Sequence, residues 1–304
     1  MLFACIILLA TFLIVGCSED EDTPADENIK LSECNRSAGE LMDITGHIAI
    51  DGQNNIWFSR DNKFYTLSPD GVETEIAGTG ESSLEDGSFR NASWLAWHQD
   101  GYLLFFDRGE ISTDSWTRKV TPNGSFTNLR NEIVGDRAVS NSGKSVYIEN
   151  AGGNSLSDLG RILELNDDNT STPIHQQDET LYGIAFDTDN RLYFATLSAI
   201  YRLNEDGNTT LISGHSEERG DVQATLLESR YNWVRQLAID PEGVIYVPDS
   251  SNDKVYRLAG NEVQVFASKE NDKLDKPYRV NINSDGSQIF VTNIDDSIIR
   301  FKCE

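Results

Sequence analysis

Residues 232–267, NWVRQLAIDPEGVIYVPDSSNDKVYRLAGNEVQVFA, decide the fold of this chain. β-Branched and aromatic residues alternate with polar ones there, which predicts four short strands: VRQLAI, VIYVP, KVYRL and EVQVFA. Gly, Pro, Asn or Asp marks each break, in the DPEG turn, the DSSND loop and the AGN turn. One such sheet cannot bury both of its faces alone, so the segment predicts further copies of itself.

The copies are present, and each begins with a short apolar strand. The predicted inner strands are HIAI (47–50), WLAW (94–97), RAVS (137–140), GIAF (183–186), QLAI (236–239) and RVNI (279–282). Corresponding positions recur at intervals of roughly 43–53 residues, within the range of propeller blades. The sixth copy ends after its third strand at FKCE, whereas NIKLSEC (28–34) alternates as a strand would. The sequence therefore predicts an all-β, six-bladed β-propeller of four-stranded blades over residues 28–304, with its ring closed by residues 28–34.

The composition is strongly acidic. The chain has 304 residues and a formal net charge of −25. A phosphate backbone requires basic surface, so this balance argues against a nucleic-acid partner. Such a charge keeps an exported protein soluble, and we expect a monomeric domain.

The amino-terminal segment predicts export. Residues 1–17, MLFACIILLATFLIVGC, carry no charge and are too short to span a bilayer comfortably. Their ending, IVGC, resembles the lipobox of bacterial lipoproteins, which implies a signal peptide over residues 1–17, cleavage before Cys17 and lipid on Cys17. The alternative is a simple secretory signal or an uncleaved anchor.

The segment that follows predicts a tether. Residues 18–27 are acidic and contain Pro, so they cannot build a core. Acidic residues directly after the lipidated Cys resemble the surface-export signal of Bacteroidetes lipoproteins. This resemblance implies an outer-membrane lipoprotein that lies at the cell surface or otherwise faces the periplasm.

Two cysteines remain for a structural role. Cys5 is lost with the signal peptide and Cys17 carries the lipid, which leaves Cys34 and Cys303 near opposite ends of the exported chain. This arrangement predicts one disulfide that joins the termini, worth roughly 5 kcal/mol by chain entropy. The alternative is two free thiols.

Two segments resemble NHL repeats, GTGESSLEDGSFRNASWLAWHQDGYLLFFDRG (78–109) and GHSEERGDVQATLLESRYNWVRQLAIDPEGVIYVPDSSNDKVYRL (214–258). They share a Gly-rich acidic lead-in, an Ala or Ser before the inner strand, a D-x-x-G turn and an Asp-polar loop after the second strand. The resemblance covers residues 44–304 and implies a β-propeller.

Function is expected on one face of the ring. The loops that enter the inner strands and those that leave the second strands lie on the same face, which we call the loop face; the tight Asp/Asn-Gly turns lie on the opposite turn face. Function tends to occupy variable loops held by a rigid scaffold. At the entrances to the inner strands on the loop face stand His47, Trp94, Arg137, Tyr182, Arg235 and Arg279.

These six residues predict a pocket for an anionic or sugar-like ligand. Arg offers paired N–H donors to a carboxylate or phosphate, and aromatic rings supply stacking surface. In the alternative interpretation the arginines pair with neighbouring Asp residues and neutralise the channel.

A second set of residues ends the second strands on the loop face. Its hard oxygen donors, which Ca²⁺ would accept, are Asp107, Asn150, Asp249 and Asn293. The gluconolactonase-like propellers, which this chain distantly resembles, hold a divalent cation on the axis. In the alternative interpretation these side chains cap the loop backbone.

No complete catalytic set is present in the sequence. His47, His98, His175 and His215 are scattered, and no Ser lies in a G-x-S-x-G elbow. We therefore expect a binding module for a protein or glycan ligand, with no catalytic residue and no cofactor. The alternative is a Ca²⁺-dependent lactonase or esterase that resembles the gluconolactonases, and a purely structural role in an envelope assembly is a third possibility.

Overall fold

Six antiparallel sheets of four strands each make up the protein. The computed structural model describes residues 34–85, 87–109, 115–131, 136–151 and 159–303. Each inner strand contacts the inner strand of the next blade, and the sixth contacts the first. The sheets therefore form a closed ring, and the predicted six-bladed β-propeller is confirmed.

The strands of the first three blades run outward in chain order. Blade one contains β2 (Ile48–Ile50), β3 (Ile56–Arg60), β4 (Lys63–Leu67) and β5 (Glu73–Ala77). Blade two contains β6 (Ala92–His98), β7 (Tyr102–Asp107), β8 (Trp116–Val120) and β9 (Phe126–Asn131). Blade three contains β10 (Arg137–Val139), β11 (Ser145–Ala151), β12 (Leu159–Leu165) and β13 (Ser171–Gln177).

Blades four and five keep the same order. Blade four contains β14 (Gly183–Phe186), β15 (Leu192–Ala195), β16 (Ala199–Leu203) and β17 (Thr209–Gly214). Blade five contains β18 (Ala238–Ile239), β19 (Ile245–Asp249), β20 (Lys254–Ala259) and β21 (Glu262–Ser268). A 3-10 turn (Ser250–Asn252) and a short helix, α1 (Lys269–Asp272), are the helical elements of the described chain, and neither is long and apolar enough to cross a membrane.

Blade six departs from this order. Its inner three strands are β22 (Arg279–Ile282), β23 (Gln288–Thr292) and β24 (Ser297–Lys302). Its outer strand is β1 (Glu40–Thr45), from the beginning of the propeller, which pairs antiparallel with β24. The first and last strands thus share one sheet, and the predicted closure by an amino-terminal strand is confirmed.

The position of the closing strand differs from the prediction. Residues 28–34 were expected to supply it, but Glu40–Thr45 does so; residues 28–33 lie outside the described chain. The reason is packing: Met42 and Ile44 of β1 join the apolar layer between blades six and one, together with Phe58 and Ile298. Both segments alternate, so alternation alone could not distinguish them.

The predicted disulfide is present beside this closure. Cys34 and Cys303 are bonded, with their Cα atoms 4.9 Å apart and a sequence separation of 269. Arg36 pairs through its backbone with Cys303, and its guanidinium donates to both carboxylate oxygens of Asp272 at 2.8 and 2.9 Å. The beginning of the propeller is therefore held by a covalent bond, a bidentate ion pair and a sheet.

Apolar layers between neighbouring blades form the core. The layer between blades four and five contains Tyr193, Ile200, Leu237, Ile245 and Val247. Leu237, Ile245 and Val247 are all buried, as the strand pattern of residues 232–267 predicts. Because each blade buries both of its faces in this way, no blade could form without its neighbours.

A recurring side-chain acceptor stabilises the turn face. The residue that ends or directly follows the inner strand of each blade accepts a hydrogen bond from a backbone amide of the turn or of the start of the next strand; the six are Asp51, His98, Ser140, Asp187, Asp240 and Asn283. In blade two, His98 Nδ1 accepts from the amide of Asp100, so Nε2 carries the proton and donates to the Gly143 carbonyl at 2.9 Å. The turn face is thus a repeated structural device.

Candidate binding site at the axial mouth

The inner strands bring their first residues together where the axis opens on the loop face. Arg279 begins β22 and its Nη2 lies 3.3 Å from Asp136 Oδ1, which directly precedes β10. Blades six and three are opposite each other in the ring, so this ion pair crosses the axis. We call the region around it the axial mouth; it contains His47, Trp94, Asp136, Arg137, Tyr182, Arg235 and Arg279.

Arg235 is the cation of the axial mouth that is available to a ligand. Its Cζ lies 4.4 Å from the ring centroid of Trp233 and 5.6 Å from that of Tyr182. Burial lowers the pKa of Arg235, and the charge of Asp136 partly offsets this effect. The side chain is half-buried, yet it makes a hydrogen bond or ion pair with none of the described residues. The guanidinium therefore packs over two aromatic rings, and its N–H donors bind none of the described residues.

Asp136 forms an ion pair with Arg279 and interacts with the charge of Arg235 at longer range, and sequence reasoning missed it. Burial raises its pKa, and the charges of Arg279 and Arg235 oppose that rise. Its side chain keeps 27% exposure, and with two cations beside it we take the group to be ionised at neutral pH. Its position immediately before the predicted inner strand was the signal that could have identified it.

Arg137 is more deeply enclosed than Arg235. It is 3% exposed, and its Cζ lies 5.5 Å from the Trp94 ring, 5.6 Å from Phe106 and 5.2 Å from Tyr147. Trp94 is itself buried. Trp94 and Arg137 therefore form a buried cation–aromatic pair within the axial mouth.

His47 contributes a neutral ring. Burial, with the nearby charge of Arg279, lowers the pKa of His47 to about 2. Its ring meets Tyr278 edge-on at 6.0 Å between centroids, and the Tyr278 hydroxyl donates to Asp296 at 2.8 Å. The imidazole therefore adds no charge to that of the arginines and of Asp136.

Trp233 is the second residue that sequence reasoning missed. It is 41% exposed, although Tyr231 and Val234 on either side are fully buried. Its φ of 79° places a bulky residue in the left-handed region, where such residues are rare. The predicted strand VRQLAI begins one residue later, at Val234, and nothing in its alternating pattern signals the backbone conformation of Trp233.

A cavity of about 230 Å³ continues along the axis from the mouth. Trp94, Arg137, Gln236 and Arg279 line it near the loop face, and Phe186 and Ile282 are among the apolar residues that line it further along the inner strands. Gln236 crosses between blades, with Nε2 donating to the carbonyls of Ile184 at 2.6 Å and Arg137 at 3.2 Å. The loop-face end of the axis is therefore polar and concave, as ligand sites commonly are.

Comparison with known proteins shows the fold alone. No family model matches the chain, and no curated protein matches it. Among solved structures, an auxiliary nutrient binding protein from Bacteroides ovatus is similar at 13% identity and a TM-score of 0.64, over 87% of this chain and 70% of that one. A gluconolactonase from Xanthomonas campestris is similar at 9% identity and a TM-score of 0.60, over 89% and 96%. Virginiamycin B lyase from Staphylococcus aureus is similar at 15% identity and a TM-score of 0.56, over 89% and 99%.

Most of the oxygen donors predicted for Ca²⁺ form hydrogen bonds with loop backbone, and they do not converge on one position where an ion could bind. Asp107 Oδ1 accepts from the amides of Arg90 and Asn91, and its Oδ2 lies 2.8 Å from the buried Arg118. Asn150 uses both side-chain atoms on Leu181, and Asn293 accepts from the amide of Asp275. Within the described chain, no group of three or more His, Cys, Asp or Glu is arranged as a metal site. The donors as placed do not fit the six or more oxygens that Ca²⁺ takes, and the calcium site stays a prediction.

Asp249 is the exception within this second set. Its Oδ2 accepts from the Asn232 amide at 2.9 Å and from Asn252 Nδ2 at 2.8 Å. Its Oδ1 is buried and accepts no hydrogen bond from the part of the chain that the structure describes. Burial raises the pKa of Asp249 to about 7, although these hydrogen bonds oppose the rise. Asp249 thus anchors the loop that carries Trp233 and Arg235.

Proposed function

We propose that this protein is a non-enzymatic binding module, which takes an anionic ligand of glycan or protein nature at the axial mouth of its loop face. The observation that carries the proposal is Arg235. Its half-buried guanidinium is stacked on two rings and forms a hydrogen bond or ion pair with none of the described residues. A desolvated cation of this kind gains most from an anion that offers paired oxygens.

The surrounding charge supports the same conclusion. The chain as a whole carries −25, yet among the described residues Asp136 is the carboxylate that pairs with Arg279 and whose charge acts on Arg235. His47 remains neutral, so it neither adds to nor removes from this local excess of positive charge. A ligand carboxylate placed between Arg235 and Arg279 would compensate the positive charge of the two guanidinium groups that Asp136 does not.

The test is titration calorimetry of the purified full-length protein with two ligands of equal charge. We would use trigalacturonate and an acetylated, amidated triglutamate peptide, against Arg235→Gln and a control, Arg191→Gln. Arg191 pairs with Asp187 on the turn face, so its replacement changes charge equally without touching the mouth. We expect Arg235→Gln to weaken binding of at least one ligand about 10- to 100-fold, as loss of a charged hydrogen bond would. Equal affinity in wild type and Arg235→Gln, or no binding of either ligand, would overturn the proposal.

One observation favours the alternative, a lactonase or esterase. Asp249 Oδ1 accepts no hydrogen bond from the described residues, and burial raises the pKa of Asp249 to about 7, which is the range of a general base. Turnover of lactone or ester substrates that is lost both with chelator and in Asp249→Asn would establish the hydrolase in place of the binding module.

We further propose that Cys17 anchors the propeller to the outer membrane through lipid, with residues 18–27 as the tether and the loop face free to meet its ligand. The support is the IVGC sequence and the acidic run that follows it. The disulfide between Cys34 and Cys303 agrees with an oxidising compartment.

A further inference from the structure

Trp233 lies at the axial mouth in a conformation that a Trp rarely adopts. Its φ is 79°, and for a bulky side chain that region marks a genuine outlier. Such outliers persist only where surrounding contacts impose them, and they cluster at ligand-binding positions.

Backbone hydrogen bonds from two blades impose this conformation. The amides of Trp233 and Val234 both donate to the Leu197 carbonyl, at 2.9 and 3.0 Å. The Ser250 amide in turn donates to the Trp233 carbonyl at 3.0 Å. The segment is therefore fixed between the loops that follow β15 and β19, and the indole cannot move into the core without breaking these bonds.

The indole keeps exposed surface next to a cation. The Cζ atom of Arg235 lies 4.4 Å from the centroid of the ring, and Trp233 remains 41% exposed. The fixed backbone holds that surface beside the unused donors of Arg235. An apolar, flat surface next to a cation matches a ligand that carries an apolar ring face and an anionic group together.

The surroundings favour a ring over a protein surface. A stable protein interface needs about 800 Å² from each partner around an apolar centre. Other exposed apolar side chains lie in the same part of the chain, namely Val222 and Leu227 in the loop that leads into blade five and Val265 in β21, whereas Leu41 in β1 and Val72 in a turn of blade one lie in other blades. Trp233 differs from all of these in its contact with the Arg235 guanidinium beside the polar, concave mouth.

We propose that Trp233 is a stacking platform for a pyranose ring, and that the ligand is an acidic glycan whose uronic acid residue places its carboxylate at Arg235. The apolar C–H face of the sugar lies on the indole, and the carboxylate accepts from the guanidinium. This inference rests on the proposed function, because it names the class of ligand for the same site.

Three ligands separate the contributions of ring and charge. Trigalacturonate carries both, the acetylated, amidated triglutamate carries charge without a ring, and maltotriose carries rings without charge. We would titrate the full-length protein with each, in wild type, Trp233→Asn, Arg235→Gln and a control, Leu41→Ala. Asn tolerates the left-handed region, so Trp233→Asn removes the indole while keeping the backbone. Leu41→Ala removes an exposed apolar side chain of β1.

We expect Trp233→Asn to weaken trigalacturonate binding about tenfold, as loss of a buried apolar contact would, and to leave triglutamate binding within about twofold. Maltotriose should bind weakly in every variant. Equal weakening of trigalacturonate and triglutamate would mean that Trp233 only supports Arg235, and an unchanged affinity for trigalacturonate would remove the stacking role. Either result would overturn this inference while the proposed function stood, since that function depends on the Arg235→Gln result.

Discussion

Asp249 shows how a single buried carboxyl can set the pH dependence of this fold. It is fully buried, and burial raises its pKa to about 7 from an ordinary value near 4. A group whose pKa is higher in the folded state stabilises the fold below its unfolded pKa, and that contribution is lost as pH rises through the folded pKa. Ionisation of Asp249 should therefore destabilise the protein between about pH 4 and pH 7.

Asp249→Asn should remove this dependence. The amide oxygen can accept from Asn232 and Asn252 as Oδ2 does now, and the amide nitrogen takes the place of the unpartnered Oδ1. In urea denaturation we expect the variant to match wild type near pH 4 and to become more stable than wild type as pH rises to 8. Each unit of pKa shift corresponds to about 1.4 kcal/mol, so the gain should reach a few kcal/mol at most.

The exposed Asp285 provides the matched control, since its carboxylate accepts from a turn amide at the surface. Asp285→Asn should show no comparable gain in stability with rising pH. A difference between Asp249→Asn and wild type that stayed constant with pH would contradict the assignment.

At the residue scale, the sequence predicts most residues of the axial mouth but not Asp136, the exposure of Trp233 or the raised pKa of Asp249. Arg235 and Arg279 could be predicted because the start of each inner strand recurs at a fixed place in the repeat. Trp233 could not, because its exposure follows from a backbone conformation that hydrogen bonds to Leu197 and from Ser250 impose. The pKa of Asp249 likewise depends on how one long loop packs over it.

At the scale of single strands, a proline explains why one inner strand is shorter than predicted. QLAI (236–239) was expected to form the inner strand of blade five, but only Ala238–Ile239 pairs in the sheet. Pro248 in β19 has no N–H to offer the ladder. The Pro248 carbonyl accepts from the Arg235 amide at 3.0 Å, and the Gln236 amide donates to the Tyr278 carbonyl of the next blade at 3.2 Å. This departure brings the first residues of blades five and six together at the axial mouth.

The bond between Cys34 and Cys303 should contribute measurably to the stability of the closed ring. It closes a very long loop, for which chain entropy predicts roughly 5 kcal/mol, although β1 and the Arg36–Asp272 pair hold the same segment. We expect Cys34→Ser to lower the melting temperature by several degrees, with an equal effect from Cys303→Ser.

The double variant is the control for this prediction. Because the two sulfurs stabilise the fold only when they are bonded to each other, the double variant should have the same melting temperature as either single variant. Reductant should lower the wild-type melting temperature to that of the variants and leave theirs unchanged. An unchanged midpoint in Cys34→Ser would show that β1 alone closes the ring.

At the scale of the whole molecule, the repeat made the architecture predictable. Six copies of one pattern had to stack around an axis, because no single copy can bury both of its faces. The closing strand was harder to predict, since residues 28–34 and Glu40–Thr45 both alternate. Only the packing of Met42 and Ile44 against blades six and one distinguishes them.

Attachment of the molecule to a membrane can be tested directly. Cells that produce the chain, supplied with an alkyne fatty acid, should label the wild-type protein and not Cys17→Ser. Cys5→Ser should label normally, because this residue is removed with the signal peptide. Label on Cys17→Ser, or none on wild type, would contradict the lipid anchor, and protease treatment of intact cells would then report which side of the membrane the domain faces.

The sharing of blade six between β1 and β24 also bears on the order in which the molecule can be assembled. The first strand of the propeller has no partner until the last one has been made and delivered. While the chain folds, β1 must therefore remain without its sheet until β24 is in place. The ring can therefore close only late, and a chain that is truncated before Ser297–Lys302 cannot close it, because β1 then has no strand to pair with. Pairing of the first strand with the last thus allows only chains that contain β24 to form the closed propeller.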